Sequence, residues 1–224
     1  MGYGAMSLES VAIDDAVSLL HRAVELGVNH IDTASFYGDG GEVNRRIRRA
    51  LAPYRDDLVI VSKVGGARAV PDADVPLALA QKPAELRASV ELDLDGLGLD
   101  QIPVVNLRRA DIGPGLIADG DQIVDLDDQL AELIALRDEG KIGAIGISNV
   151  ALETVQRAVG AEIVCVQKNA YSLLDRTHED CLQFCADNDI AWVPFFFHSG
   201  PASPVSRKSP TTPPKWFGSP PNVA

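Results

Sequence analysis

Cysteine is scarce in this chain: Cys165, Cys181 and Cys185 are the only three among 224 residues. An odd and small number of thiols argues against a disulfide-stapled secreted scaffold. Aromatic side chains make up 5% of the residues, and 20 bases stand against 32 acids for a formal net charge of −12. The last 27 residues, from His198, hold Arg207, Lys208 and Lys215 and no acid, so the preceding body is more acidic still. Such a body repels phosphate backbones and anionic bilayers, which argues against nucleic-acid and membrane partners. No apolar run reaches the roughly 20 residues of a spanning helix. The N-terminus lacks the basic-then-apolar pattern of a secretory signal, so a cytoplasmic location is expected. No GxGxxG follows a strand, which leaves a Rossmann phosphate loop unsupported. His21, His30, His178 and His198 show no metal-ligand spacing, and no metal is expected. Cys181 and Cys185 lie four apart on a predicted helix, as a metal pair or, the reading favoured here, as two small buried hydrophobes.

What is present is enough apolar material for a core, 46% of the chain, in one domain or two. Short β-rich runs at about 2–6, 28–31, 58–63, 103–107, 142–147, 163–167 and 190–196 alternate with helical patterns near 14–26, 42–52, 83–95, 126–139, 151–159 and 175–188. Asp14 is placed to cap the first helix and Gly27 to end it. Pro83 suits a first helical position, and Gly140 closes LDDQLAELIALRDE, whose leucines recur at three- and four-residue spacing. Pro103 has no amide to give an interior ladder and is placed at a strand start. Repeated βα units predict a parallel sheet with right-handed crossovers. Seven such units make an α/β fold of the (β/α)8 TIM-barrel type, one unit short of closure. The reading is therefore a truncated barrel over residues 1–197, with strand 8 and the C-terminal helices absent. Residues 198–224 carry seven of the chain's 14 prolines. They are read as a disordered tail or, by preference, a frame-shifted one, because the alternation breaks abruptly inside a strand-loop unit.

The chemistry concentrates in HIDTASFYGDG (residues 30–40) and at the end of LVIVSKVGG. Asp32, Tyr37 and Lys63 fall just past the ends of two successive predicted strands, and a parallel barrel gathers such positions at one face. An ammonium beside a phenol favours release of the phenolic proton, and an aspartate paired with the lysine keeps it charged and aimed. Taken singly, Tyr37 is a loop aromatic and Asp32 with Lys63 a structural ion pair. Together they describe a proton donor for neutral pH.

HIDTASFYG, SKVGG and GAIGISN, in this order and spacing, resemble the aldo-keto reductases, (β/α)8 barrels that reduce carbonyl groups with NADPH. The likeness runs over about residues 2–197. DQIPVVNLRR, GISN, EIVCVQ and WVPFF are most similar to the pyridoxal-reductase-like branch. The resemblance implies that Tyr37 is the general acid, that Lys63 lowers its pKa and that Asp32 holds Lys63. It implies NADP(H) as cofactor, with Gly4, Ala5, Met6, Asp32, Ser148, Asn149 and Gln167 along its site and Phe195 stacked on the nicotinamide. The family's fourth catalytic position is usually histidine, and here Arg108 stands in it. Arginine donates hydrogen bonds and stays charged. It can hold a carbonyl oxygen, or a phenolate or phosphate on the substrate, or serve only in a salt bridge to Asp32 or another acid. VQKNAYS runs one residue longer than the family's spacing, which places a bulge at Lys168 or else puts the strand end elsewhere and leaves Asn169 and Tyr171 unassigned. The loop 109–125 is expected over the active-site mouth. The family grips the cofactor's phosphates around strand eight, a segment not recognised in this sequence. Two functions follow: an NADPH-dependent reductase of aldehydes or ketones, pyridoxal-type compounds included, or a non-catalytic barrel remnant acting at most as an interaction protein.

Overall fold

Seven strands hydrogen-bond in parallel, and the helices between them pack on one face of the resulting curved sheet. The structure, a computed structural model, describes residues 1–70, 77–112, 116–168, 171 and 176–194. In chain order the strands are β1 (Gly2–Gly4), β2 (His30–Asp32), β3 (Val59–Val64), β4 (Gly66–Arg68), β5 (Leu77–Leu79), β6 (Ile102–Arg108), β7 (Ile142–Ser148), β8 (Cys165–Lys168) and β9 (Ala191–Pro194). The helices are α1 (Ile13–Glu25), α2 (Glu42–Leu51), α3 (Pro83–Leu97), α4 (Leu126–Asp138), α5 (Leu152–Ala158) and α6 (Glu179–Asp187). The sheet order is β1-β2-β3-β6-β7-β8-β9, and β4 pairs with β5 in a separate antiparallel ribbon. This is the α/β barrel architecture expected from the alternation, with seven of its strands among the described residues. The expected tail, 198–224, lies outside them.

Side chains alternate across the strands as a two-residue period requires. Ile31, Ile60, Val64, Val105, Leu107, Ile145, Ile147 and Val166 are buried and meet the helices. The opposite face turns His30, Asp32, Val61, Asn106, Cys165 and Gln167 toward an interior cavity of about 330 Å³. Parallel strands covered by helices on the outer face and curled around polar residues on the inner one are the construction of a barrel that carries its site inside.

Local expectations fared unevenly. Gly27, with φ 89°, and Gly140, with φ 77°, occupy left-handed positions after α1 and α4, and Pro83 opens α3. Asp14 does not cap α1. The helix begins one residue earlier at Ile13, Ala12 is its N-cap without a side-chain bond, and Asp14 pairs instead with Arg49 at 3.2 Å. The first strand ends at Gly4, and Ala5–Ser10 turn into a 3-10 helix that buries Ala5 and Leu8. Pro103 is the second residue of β6, whose ladder with β3 starts only at Val104, so its missing amide forfeits no rung there. No bulge occurs at Lys168: β8 pairs residue for residue with β9 from Cys165↔Ala191 to Lys168↔Pro194. Cys181 and Cys185 are buried in the core.

Candidate active site

The strand register brings the charged residues to one level. Asp32, the last residue of β2, pairs with Val61, two positions before Lys63. Lys63 in turn pairs with Asn106, two before Arg108. Arg108 pairs with Ser148, and Ser148 with Gln167. Each step of two keeps side chains on the inner face and moves them toward the C-terminal rim, the stagger that closes barrels.

At that rim Lys63 Nζ donates to both carboxylate oxygens of Asp32 at 2.7 Å and to the Thr33 carbonyl at 2.9 Å. The lysine side chain is 7% exposed and the aspartate 17%. Burial alone disfavours the ammonium, but Asp32, and after it Tyr37, outweigh that penalty and raise the Lys63 pKa. The amine is therefore charged throughout the working pH range. Tyr37 lies half-buried on the turn after β2, its ring centroid 4.9 Å from Lys63 Nζ and edge-on to Phe36 at 5.3 Å. The turn continues through Gly38, Gly40 and Gly41, all with positive φ, before α2 begins. Asp32, Tyr37 and Lys63 are thus brought together.

Arg108 joins them without the salt bridge considered from sequence. Both Asp32 oxygens are occupied by Lys63, and no ion pair to Arg108 forms among the described residues. Its Nη1 is buried and has no hydrogen-bond partner. Burial lowers its pKa, and among the described residues Tyr37 opposes that shift. The strand end itself is tightly held: Gln81 Nε2 donates to Gly65 O at 2.5 Å and to Arg108 O at 2.9 Å, which staples β3 to β6. Gln129 Nε2 supports Gln81 through its carbonyl at 2.6 Å, and Arg109 Nη1 donates to Gln129 Oε1 at 2.5 Å. Arg109 also binds Asp111 at 2.6 Å, fixing the start of the loop that leaves the rim.

The other predicted residues divide. Ser148 is buried at the rim. Gln167 faces the cavity and accepts from Asn106 Nδ2 at 3.4 Å. Asn149, with φ 58°, is turned to the loop after β6, and its Nδ2 donates to Arg109 O at 2.9 Å and Ile112 O at 3.3 Å. That amide group is a structural tie. Gly4 ends β1 beside Asp32, Ala5 is buried and Met6 is half exposed. Phe195 and Asn169 lie outside the described residues. Cys165 donates its thiol to Asn106 Oδ1 at 3.2 Å, and burial pushes that thiol up to about 12, so it stays protonated.

A buried polar chain behind the site was not read from the sequence. Thr33 Oγ1 donates to Asn44 Oδ1 at 2.7 Å, Asn44 Nδ2 to Asp93 Oδ1 at 2.6 Å, and Ser62 Oγ to Asp93 Oδ2 at 2.7 Å. It joins α2 and α3 to the residues directly following Asp32 and preceding Lys63. Its only sequence signal is polar residues at outward positions of strands and inward positions of helices.

The sequence profile of the aldo/keto reductase family matches residues 1–210. Pyridoxine 4-dehydrogenase of Escherichia coli is 40% identical over 204 residues, covering 88% of this chain and 68% of that protein. An uncharacterised oxidoreductase of Schizosaccharomyces pombe is 32% identical, covering 88% of the chain and 61% of the relative. Among solved structures, an aldo/keto reductase from Klebsiella pneumoniae in complex with NADP and acetate superposes with a TM-score of 0.67 at 25% identity, over 87% of this chain and 62% of that one.

Proposed function

The chain belongs to the aldo/keto reductase family, and from that membership and the geometry of the rim we propose that it reduces an aldehyde or ketone to an alcohol with NADPH, Tyr37 acting as general acid. The observation that carries this reading is the Asp32–Lys63 pair, held at 2.7 Å beneath the Tyr37 ring. A carbonyl oxygen seated against the phenol receives the Tyr37 proton. The Lys63 charge stabilises the phenolate that remains, in a site where low dielectric strengthens the attraction. Asp32 and the Thr33 carbonyl keep the ammonium from turning away. These residues form a proton relay at the level where a substrate enters.

NADPH, when bound, supplies the hydride that completes the reduction. The residues present suit its nicotinamide end: Ser148 and Gln167 offer polar side chains on neighbouring strands at the rim, while the engaged Asn149 amide leaves less for that role than the sequence implied. Gly4 leaves β1 without a side chain beside Asp32. A pyridoxal-type aldehyde is the substrate class that the 40% likeness to pyridoxine 4-dehydrogenase supports. The unit proposed to carry the activity is residues 1–197.

Titration of the purified chain into NADPH, followed by cofactor fluorescence, tests the proposal. Saturable binding in the micromolar range or tighter is expected. No change up to millimolar cofactor would overturn it and leave a non-catalytic barrel as the function.

A further inference from the structure

We propose that Arg108 selects the substrate: its guanidinium binds an anionic oxygen carried next to the reacting carbonyl. The proposal rests on the reductase reading and adds to it the charge of the compound reduced. Arg108 is the last residue of β6, on the inner face, opposite Ser148 and one inward position beyond Asn106, the partner of Lys63. It therefore lies between the acid's lysine and the residue placed for the nicotinamide. Its Nη1 is buried and unbonded, and no carboxylate among the described residues pairs with it. Every other guanidinium buried or half-buried at this end of the molecule has its oxygens: Arg46 binds Glu42 and the carbonyls of Leu8 and Val11, and Arg109 binds Asp111 and Gln129.

An arginine cannot relieve such a position by losing its proton at working pH. Withdrawing part of the charge from water is unfavourable unless an opposite charge is supplied, and none of the described residues supplies one here. A neutral ketone would satisfy one N–H and leave the charge uncompensated. A carboxylate or phenolate oxygen beside the carbonyl satisfies both, because the planar fork of donors matches such oxygens. Among the described residues Tyr37 is the group that raises the proton affinity of Arg108, so the anion would sit within reach of the acid. The substrate is then an aldehyde or ketone whose anionic oxygen stands a few bonds from the reacting carbon, as in an ortho-hydroxylated or ortho-carboxylated aromatic aldehyde. The charge is used for orientation: it turns the carbonyl oxygen to Tyr37 and its carbon to the nicotinamide.

Two measurements on the full chain separate this from the reductase reading. In calorimetric titration, which needs no turnover, benzoate should bind wild type roughly tenfold or more tighter than benzamide, and Arg108→Gln should abolish the difference. In steady-state kinetics, kcat/KM for 2-carboxybenzaldehyde and 2-hydroxybenzaldehyde, the latter at a pH that ionises it, should exceed that for benzaldehyde. Arg108→Gln should erase that preference, lowering the ratio of the kcat/KM values by roughly 10- to 100-fold. Whichever of the two aldehydes gains more identifies carboxylate or phenolate as the better fit. Arg108→Lys, which keeps the charge without the fork, should restore part of the preference and shows that the Gln variant has not merely unfolded. An unaltered preference in Arg108→Gln, no benzoate preference in wild type, or loss of NADP+ affinity in place of substrate discrimination would overturn the assignment. Absence of turnover alongside benzoate selectivity would defeat the reductase reading and leave the anion site standing.

Discussion

Around Lys63, three oxygens within 2.9 Å make a buried ammonium tolerable. Removing either member of such a pair strands a charge at about 3–5 kcal/mol, which is why Asp32 matters to the lysine before it matters to any substrate. The meeting of Asp32, Tyr37 and Lys63 could be read from the sequence because they fall at the ends of successive strands, which a parallel barrel gathers at one rim. The Thr33 carbonyl could not, since a backbone acceptor leaves no trace in residue type. Nor could the state of Arg108, because an arginine letter looks the same whether its fork is paired or bare. Gly65 is a further residue whose role only geometry reveals. Its φ is 95°, and a Cβ there would stand 2.2 Å from the Arg108 carbonyl oxygen. Gly65→Ala must strain the backbone or part β3 from β6 where Gln81 staples them. A loss of at least about 1–3 kcal/mol in urea denaturation is expected; an unchanged midpoint would contradict the close approach.

Among the elements, the seven sheet strands and six helices were legible because apolar runs and helical spacing alternate cleanly, with Gly27, Pro83 and Gly140 punctuating them. The β4–β5 ribbon was not, since three-residue strands leave too short a pattern to register a period. The Asp14 cap failed because the helix already begins at Ile13, with Ala12 in the capping position, so Asp14 lies inside the first turn. The chain of Thr33, Asn44, Ser62 and Asp93 locks α2 and α3 to β2 and β3, so these elements hold the strand ends that carry Asp32 and Lys63. Burial pushes the Asp93 carboxyl up to about 7 from its ordinary 3.8, even though Ser62 and Asn44 donate to it. Between about pH 4 and pH 7 the unfolded chain has released a proton that the folded chain keeps. Stability from this group is therefore full below that window and falls as pH rises through it. Asp93→Asn carries no titrating proton. Its stability relative to wild type should rise from about pH 5 to about pH 7.5 by chemical denaturation, and an equal offset at both would contradict the buried acid.

For the whole molecule, net charge and the scarcity of cysteine narrowed the function, and the order of βα units pointed to the barrel. The family likeness, with matches spanning about two thirds of the relatives' lengths, agrees with both. What neither composition nor pattern could place is the collective geometry: a two-residue stagger from β2 to β3 and again from β3 to β6, with β7 and β8 level with β6, delivers distant letters to one rim. The central claim is that this rim protonates a carbonyl through Tyr37. NADPH oxidation by the purified chain, followed with 2-carboxybenzaldehyde for wild type and Tyr37→Phe, tests it most directly. Wild type should turn over, and the variant should lose roughly 10²–10⁴-fold in kcat while its NADPH affinity stays the same. Equal turnover in the two proteins, or none in wild type, would contradict the account.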